Sequence, residues 1–90
     1  EQDLNFIVDE QVTWGQLASQ VRDAAGRLLE EIRYRETYRD ASSDGDGKKR
    51  LIFSVQLRSF DDTLTGQQAD EVRSAIVTAC GDKLGAKLLG

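Results

Sequence analysis

The sequence predicts an α+β fold of element order βαββαβ, a four-stranded antiparallel sheet with two helices on one face. Two helical segments open with the same capping pattern, and a strictly alternating strand lies between them. Of the 90 residues, 39% are hydrophobic and 31% are charged, as expected for a domain with a modest core. Residues 1–90 are therefore predicted to form a single domain, and the βαββαβ order is that of the ferredoxin-like split βαβ fold.

The first half of the chain predicts a strand, a helix and a second strand. Residues 4–8 (LNFIV) form an apolar run between two aspartates, which predicts a strand in the middle of a sheet. Thr13 and Gln16 have the spacing of a capping box, so a helix is predicted from about residue 14 to residue 25, where Gly26 ends it. Residues 28–39 hold β-branched and aromatic side chains among charges, which favours a second strand.

The second half begins with a polar loop and contains a second capped helix. Residues 40–47 (DASSDGDG) predict a solvent-exposed hairpin loop, and residues 49–59 predict a strand with one core face and one largely polar face. Thr65 and Gln68 form another capping box, so a helix is predicted to about residue 84, before a short last strand at residues 86–89. The predicted core face of the third strand comprises Leu51, Phe53, Val55 and Leu57, and the other face comprises Arg50, Ile52, Ser54, Gln56 and Arg58.

Composition excludes several classes of site. The chain has no histidine and one cysteine, Cys80, so neither a histidine-based catalytic pair nor a thiolate zinc cluster can form within it. We predict no catalytic residue, metal or cofactor in this domain, and interpret Asp61 and Asp62 as turn residues rather than an acid–base pair. No apolar run reaches the ~20 residues of a membrane helix, which predicts a cytoplasmic protein. Because the chain starts at Glu1 without a methionine, shortly before a predicted strand, we expect a fragment of a longer protein.

Positive charge is concentrated in residues 33–58, here called the basic segment. Seven Lys and Arg against four Asp and Glu give it a balance of +3, whereas the remaining five basic and twelve acidic residues give −7. A polyanion responds to the local potential of a surface more than to the overall charge, which is −4. The sequence is thus compatible with nucleic-acid binding at one surface, but not with indiscriminate coating of phosphate backbones.

The basic segment also contains a candidate site for an unpaired base. Alternation places Glu36 and Tyr38 on one face of the second strand, and the hairpin brings Tyr38 near Lys49 and Arg50. A tyrosine for stacking, a carboxylate acceptor and cations for phosphate suit a single-stranded RNA base on an uncovered sheet face. Two plainer interpretations stay open. The polar face is merely solvated, with Tyr38 as a rim residue, and the basic run that starts at Lys48 merely blunts a sheet edge.

These residues resemble a known family. ETYR at residues 36–39, a glycine-bearing loop, GKKRLIF at residues 47–53, Arg58 and TLT at residues 63–65 are similar to the C-terminal ferredoxin-fold anticodon-binding domain of bacterial phenylalanyl-tRNA synthetase beta subunits. Asp3 and Leu4 resemble the opening of that family, and LLG at residues 88–90 resembles its ending. The resemblance covers essentially the whole chain. Its most specific part is the combination of the Gly-Lys-Lys run with Thr-Leu-Thr.

The resemblance implies a domain that binds the anticodon stem-loop of phenylalanine tRNA. The domain would be non-catalytic and free of cofactors, within a ligase that uses ATP and magnesium at a catalytic site in its alpha subunit. Its expected partners are phenylalanine tRNA, the rest of the beta subunit and the alpha subunit, in a heterotetramer. The resemblance also implies that Tyr38 stacks on the first anticodon base, with base-edge contacts from Glu36 and Arg50. Phosphate contacts are expected from Arg39, Lys48 and Lys49.

One departure from the family pattern bears on the fold, and two rival functions remain. Strict alternation places Arg35 on the face opposite Glu36 and Tyr38. Arg35 also stands where the family has a core phenylalanine, which predicts a bulge or an exposed edge in the second strand.

The rival functions are a small-molecule regulatory domain, which needs an apolar pocket, and a protein-interaction module that dimerises through the open face. Such an interaction face should be more apolar than residues 50–58 allow.

Overall fold

The computed structural model describes residues 1–58 and 65–89. The elements in these ranges are β1 (Gln2–Asp9), α1 (Trp14–Ala25), a 3-10 turn (Gly26–Leu28), β2 (Leu29–Tyr38), α2 (Ala41–Asp44), β3 (Lys48–Leu57), α3 (Gly66–Leu84) and β4 (Lys87–Leu88). The predicted order of strands and long helices is confirmed, whereas α2 was not predicted. Within the described ranges, no helix is both long enough and apolar enough to cross a membrane.

The four strands form one antiparallel sheet in the order β2-β3-β1-β4. β3 lies between β1 and β2, so the two halves of the chain interleave, as the ferredoxin-like prediction requires. α1 and α3 pack on one face of this sheet, which confirms the predicted architecture. The core between them includes Leu4, Phe6, Val8, Leu17, Val21, Leu51, Phe53, Val55, Val72, Ile76 and Cys80.

Both long helices begin with the predicted capping boxes. Thr13 Oγ1 accepts from the Gln16 N–H at 3.1 Å, while Gln16 Oε1 accepts from the Thr13 N–H at 2.9 Å. Thr65 and Gln68 make the same exchange at 3.1 and 3.0 Å. These bonds satisfy backbone donors that the first turn of a helix otherwise leaves without partners. Gly85 ends α3 with a φ of 65°, a left-handed conformation that glycine adopts without strain.

Alternation along β1 and β3 separates a covered face from an open face. Leu51, Phe53 and Val55 are at most 1% exposed, and the ring of Phe53 stacks on Phe6 with centroids 5.9 Å apart. Trp14, at the start of α1, packs 5.2 Å from the same phenylalanine ring. Because α1 and α3 lie on this side, the alternate residues of the strands point to the opposite face, which the described elements leave open.

Two residues of the open face depart from a simple alternating pattern. Ser54 lies on the predicted polar face but is 2% exposed, because its hydroxyl donates to Asp3 Oδ1 at 2.6 Å and accepts from Arg35 Nε at 2.8 Å. Arg35 reaches Ser54 because the pairing of β2 with β3 shifts register between Tyr34 and Glu36. The bulge predicted at Arg35 is therefore confirmed. It places that side chain on the open face, where strict alternation does not put it.

The predicted hairpin loop contains one helical turn, α2. Asp40 caps this turn, since its Oδ1 accepts from the Ser43 N–H at 3.4 Å and from the Ser42 hydroxyl at 2.6 Å. Gly45 and Gly47, with φ values of 89° and 77°, then return the chain to β3. The loop is largely exposed, as predicted. Its own side chains nevertheless give it a defined conformation.

Candidate nucleic-acid interface

The open face places an aromatic and a cationic side chain next to each other. Tyr38, the last residue of β2, pairs with Arg50 of β3, and directly opposite residues of an antiparallel ladder share a face. The guanidinium carbon of Arg50 lies over the Tyr38 ring, 5.3 Å from its centroid, as in a cation–π contact. Tyr38 is still 43% exposed. Its ring therefore has surface free for a second planar group.

Asp44, the last residue of α2, holds Arg50 in this position. Arg50 donates from Nε to Oδ2 and from Nη2 to Oδ1, both at 2.8 Å, so the pair is bidentate. The Asp44 side chain is 4% exposed and that of Arg50 is 24% exposed. The hydrogen bond from Arg50 lowers the pKa of Asp44, and the same bond raises the pKa of Arg50.

Two further predicted residues lie on the open face. Glu36 pairs with Ile52 and is exposed, and no hydrogen bond or ion pair to its carboxylate occurs among the described residues. That carboxylate is therefore available to accept from a ligand. Lys48 lies at the start of β3, where its ammonium group forms an ion pair with Asp9, its register partner on β1.

The remaining two predicted residues, Arg39 and Lys49, lie elsewhere. Both converge on Glu10, which follows β1. Arg39 donates to its carboxylate at 2.6 and 2.9 Å, and Lys49 Nζ lies 3.5 Å from Oε2. The prediction that Lys49 lies beside Tyr38 is wrong, because adjacent strand residues point to opposite faces and Lys49 pairs with the buried Val8. Whether these two cations contact RNA stays a prediction.

Carboxylates neutralise most of the basic segment. The hydrogen bond from Arg39 lowers the pKa of Glu10 to about 2 from 4.5, with a smaller contribution from Lys49. Exposed pairs of this kind contribute little to stability, but they reduce the positive potential that a phosphate encounters. Pairs formed by the segment include Arg33–Glu31, Arg35–Glu1, Arg35–Asp3, Arg39–Glu10, Lys48–Asp9, Lys49–Glu10 and Arg50–Asp44.

The open sheet face carries a partly exposed tyrosine, an available carboxylate and an oriented arginine. This combination is typical of folds that bind single-stranded RNA. The model of the family described as ferredoxin-fold anticodon binding domain matches residues 1–89. This chain belongs to that family. The resemblance inferred from residues 36–39 and 47–53 is thereby confirmed at the level of the family.

Relatives of this anticodon-binding domain occur within much longer proteins. The chain is 44% identical over 89 residues to a phenylalanine–tRNA ligase beta subunit of Rhodopirellula baltica, covering 99% of the chain and 13% of that protein. It is 42% identical over 88 residues to the beta subunit of Bifidobacterium longum, covering 98% of the chain and 10% of that protein. For Thermobifida fusca the identity is 34% over 89 residues, covering 99% and 11%. The chain thus spans about a tenth of these relatives.

Sequence reasoning missed three residues that lie at or beside the candidate interface. Asp44 and Glu10 are the carboxylates that orient the arginines, and Lys87 of β4 pairs with Ile7 on the open face. Glu10 lies two residues after the first predicted strand, so its proximity to the hairpin could have been found from strand order alone. Asp44 could not, because its position depends on the unpredicted turn α2.

Three further points from the sequence concern the acid–base pair, a metal site and an apolar pocket. Asp61 and Asp62, together with two residues of the TLT motif and Gly90, lie outside the described residues. Elsewhere in the chain, no group of three or more His, Cys, Asp or Glu is placed to hold a metal ion. A cavity of about 420 Å³ between α1 and β2 is lined by Arg22, Glu30 and Glu31 as well as apolar side chains, a charged lining that does not favour the regulatory-domain alternative.

Proposed function

We propose that this chain is the anticodon-loop recognition domain of a phenylalanine–tRNA ligase beta subunit. The family match and the near-complete coverage by beta-subunit relatives support this proposal. The domain would support aminoacylation without catalysing it. The ligase would act in the cytoplasm, with ATP and magnesium at a catalytic site in the alpha subunit and both subunits in a heterotetramer.

The observation that carries the proposal is the half-exposed ring of Tyr38 on the open face. A base stacked on an aromatic ring buries two planar apolar surfaces, which is worth about 1–3 kcal/mol per base. Arg50 occupies one side of the ring, and the exposed remainder suits one unpaired base. Tyr38 would therefore provide the stacking platform for the first anticodon base.

Glu36 and Arg50 would supply the hydrogen bonds that distinguish one base from another. The Glu36 carboxylate is a pure acceptor and suits the amino or imino group of a base. Arg50 is a pure donor and suits base or phosphate acceptors. An acceptor and a donor on the same face as one stacking ring would give the site a polarity that a scrambled loop does not match.

Phosphate contacts would come from Lys48 on the open face and from Arg39 and Lys49 at the rim. Each of these cations already has a carboxylate partner, so an incoming phosphate must compete with it. Affinity should then depend on salt less steeply than for a protein with free cations. Base stacking and base-edge contacts would carry the larger share of the recognition.

The proposal is tested by titrating the 90-residue chain with the anticodon stem-loop of phenylalanine tRNA. A stem-loop of the same length with a scrambled loop serves as the control, and both are measured at about 50 and 200 mM salt. We expect tighter binding of the cognate loop at both concentrations, followed by NMR chemical shifts so that weak affinities are measurable. Equal affinity for the two loops, or none for either, refutes the proposed recognition.

A pair of tyrosines provides a matched test of the stacking role. Tyr38→Ala should weaken cognate binding by about 1–3 kcal/mol. Tyr34 is equally exposed, at 44% against 43%, but lies on the covered side of β2, where it packs against Trp14 and bonds Thr37. Tyr34→Ala should therefore lower stability and leave affinity for the loop unchanged. If both variants bind like the unmodified chain, Tyr38 is only a rim residue.

A further inference from the structure

Asp44 is unusual among the carboxylates that pair with the basic segment. Its side chain is 4% exposed, whereas those of Glu10 and Asp9 are 45% and 53% exposed. A carboxylate removed from water in this way has to be compensated by its partner, and Arg50 compensates it through two hydrogen bonds. The geometry of this pair is therefore fixed far more tightly than that of an exposed ion pair.

The local fold builds this position for Asp44. Asp40 caps the first turn of α2, with its carboxylate bonded to Ser42 and Ser43, and the backbone N–H groups of Asp44 and Gly45 donate to Asp40 and Ala41 at 2.8 and 2.9 Å. The whole turn is thus anchored by its own polar groups. The turn places the Asp44 carboxylate against the Nε and Nη2 edge of Arg50, while the guanidinium carbon lies over the Tyr38 ring.

The pair leaves a defined part of Arg50 for a ligand. A guanidinium has five N–H groups, and two of them donate to Asp44, so three remain, of which one on Nη1 and one on Nη2 form the outer edge. The guanidinium also lies over the Tyr38 ring, so this edge is held beside the stacking surface. A lysine in the same place would have neither the planar fork nor a fixed edge.

We propose that Asp44 is a positioning residue for recognition of the anticodon loop. It fixes Arg50 on one side of the Tyr38 ring, so that the base stacks on the other side and the outer guanidinium edge meets a pair of acceptor atoms on the adjoining nucleotide. This inference rests on the proposed function and deepens it. Asp44 itself touches no RNA.

The direction in which Asp44→Asn changes the affinity for the loop distinguishes positioning of Arg50 from an effect of charge alone. Asp44→Asn removes a negative charge next to a bound polyanion, which by charge alone should strengthen binding. Positioning predicts the opposite, because the amide cannot accept both N–H groups and Arg50 loses its orientation. We expect binding of the cognate loop to weaken by about five- to tenfold, a fraction of what a complete bidentate contact contributes.

Asp46→Asn provides the matched control, since Asp46 lies in the same loop, is exposed and has no partner among the described residues. It removes the same charge without touching Arg50, so binding should be unchanged or slightly tighter. Far-ultraviolet circular dichroism and urea unfolding establish that each variant is folded before titration. The Nε–H resonance of Arg50 reports directly on the pair, and it should broaden through exchange in the Asp44→Asn variant.

Arg50→Lys tests whether Asp44 acts through Arg50. This variant keeps the charge but loses the fork, so Asp44→Asn should cause no further weakening when the two are combined. Loops with one 7-deaza purine or one methylphosphonate at a time identify the acceptor pair as base edge or phosphate. The modification that removes the acceptor pair should weaken binding of the loop to the unmodified chain but not to the Arg50→Lys variant.

The outcomes distinguish failure of this inference from failure of the proposed function. If the unmodified chain binds no loop or does not discriminate, the proposed function fails and the role of Asp44 fails with it. If the chain discriminates but Asp44→Asn binds as tightly as Asp46→Asn, only the positioning role is refuted. It is also refuted if Asp44→Asn weakens binding equally in the Arg50→Lys background, or if no single modified loop shows dependence on Arg50.

Discussion

The two faces of the sheet are built from the same strands, yet their side chains are available for different tasks. On the covered face Leu51, Phe53 and Val55 are at most 1% exposed. On the open face Tyr38 is 43% exposed and Glu36 has no partner within the described residues. Because successive residues of a strand point to opposite faces, the residues of one face form the core and those of the other remain accessible to a ligand.

Two arginine–carboxylate pairs at the end of the hairpin repeat this contrast. Arg50–Asp44 lies on the open face and Arg39–Glu10 on the other side, and both pairs are bidentate with distances of 2.6–2.9 Å. The hydrogen-bond distances therefore do not distinguish the two pairs, although Asp44 is much less exposed than Glu10. Their neighbours distinguish the two pairs. Arg50 lies against the Tyr38 ring, whereas Arg39 shares the Glu10 carboxylate with Lys49. Under the proposed function, loss of the two carboxylates should have opposite effects.

The largest expected effect compares the two faces at adjacent positions. Leu51 and Ile52 have side chains of the same size, but Leu51 is 1% exposed in the core and Ile52 is only partly buried on the open face. Leu51→Ala should lower the free energy of unfolding by about 2–5 kcal/mol, because a cavity is left among packed side chains. Ile52→Ala should cost about 1 kcal/mol, since less apolar area is lost.

Urea unfolding followed by circular dichroism measures both values. The small size of the domain means that Leu51→Ala is expected to be partly unfolded without denaturant, which itself satisfies the prediction. Equal losses for Leu51→Ala and Ile52→Ala would show that the open face is covered in solution, for example by a second copy, and would revive the interaction-module alternative.

The second effect concerns Glu10. Glu10→Gln releases Arg39 and Lys49 from their shared carboxylate, so the affinity for any stem-loop should rise. The logarithm of the binding constant should fall more steeply with the logarithm of salt concentration, by about 1 in slope. Titrations of cognate and scrambled loops at several salt concentrations measure both quantities. We expect the affinities for the two loops to rise by similar factors, because phosphate contacts carry no sequence information.

Asp46→Asn again controls for the loss of one charge. If Glu10→Gln changes affinity and salt slope no more than this control does, Arg39 and Lys49 do not contact the RNA backbone. The contrast between the two arginine pairs would then be one of location only.

The fold was predictable because local patterns agree with it. The capping boxes at Thr13 and Thr65, the alternation of residues 51–57 and the stop at Gly85 each depend on neighbours within a few residues. What could not be predicted arises from contacts distant in sequence or from irregular backbone. Ser54 is buried by Asp3 and Arg35, and the latter reaches it only through a register shift.

The candidate site was predicted in its types of residue more than in its grouping. Tyr38, Glu36 and Arg50 share a face because strand alternation fixes it, as expected. Lys49 was grouped with them from sequence proximity, although the same alternation places it on the opposite side. Asp44 was not identified because the turn that carries it has too few residues for any periodic signal.

The smallest expected effect is the pH dependence of the Arg39–Glu10 pair. In the folded chain the pKa of Glu10 is lowered to about 2, whereas an unpaired glutamate titrates near 4.5. The pair therefore contributes its full stability above about pH 4.5, and this contribution disappears as the pH falls toward 2 and the folded carboxyl is protonated. Because Glu10 is 45% exposed, the contribution is small and screened by salt. Urea unfolding of the unmodified chain and of Glu10→Gln should show a difference at pH 6 that shrinks between pH 4.5 and pH 2. A difference that is constant with pH would mean that Glu10 contributes through packing rather than through its charge, and the two arginine pairs would then differ in kind as well as in location.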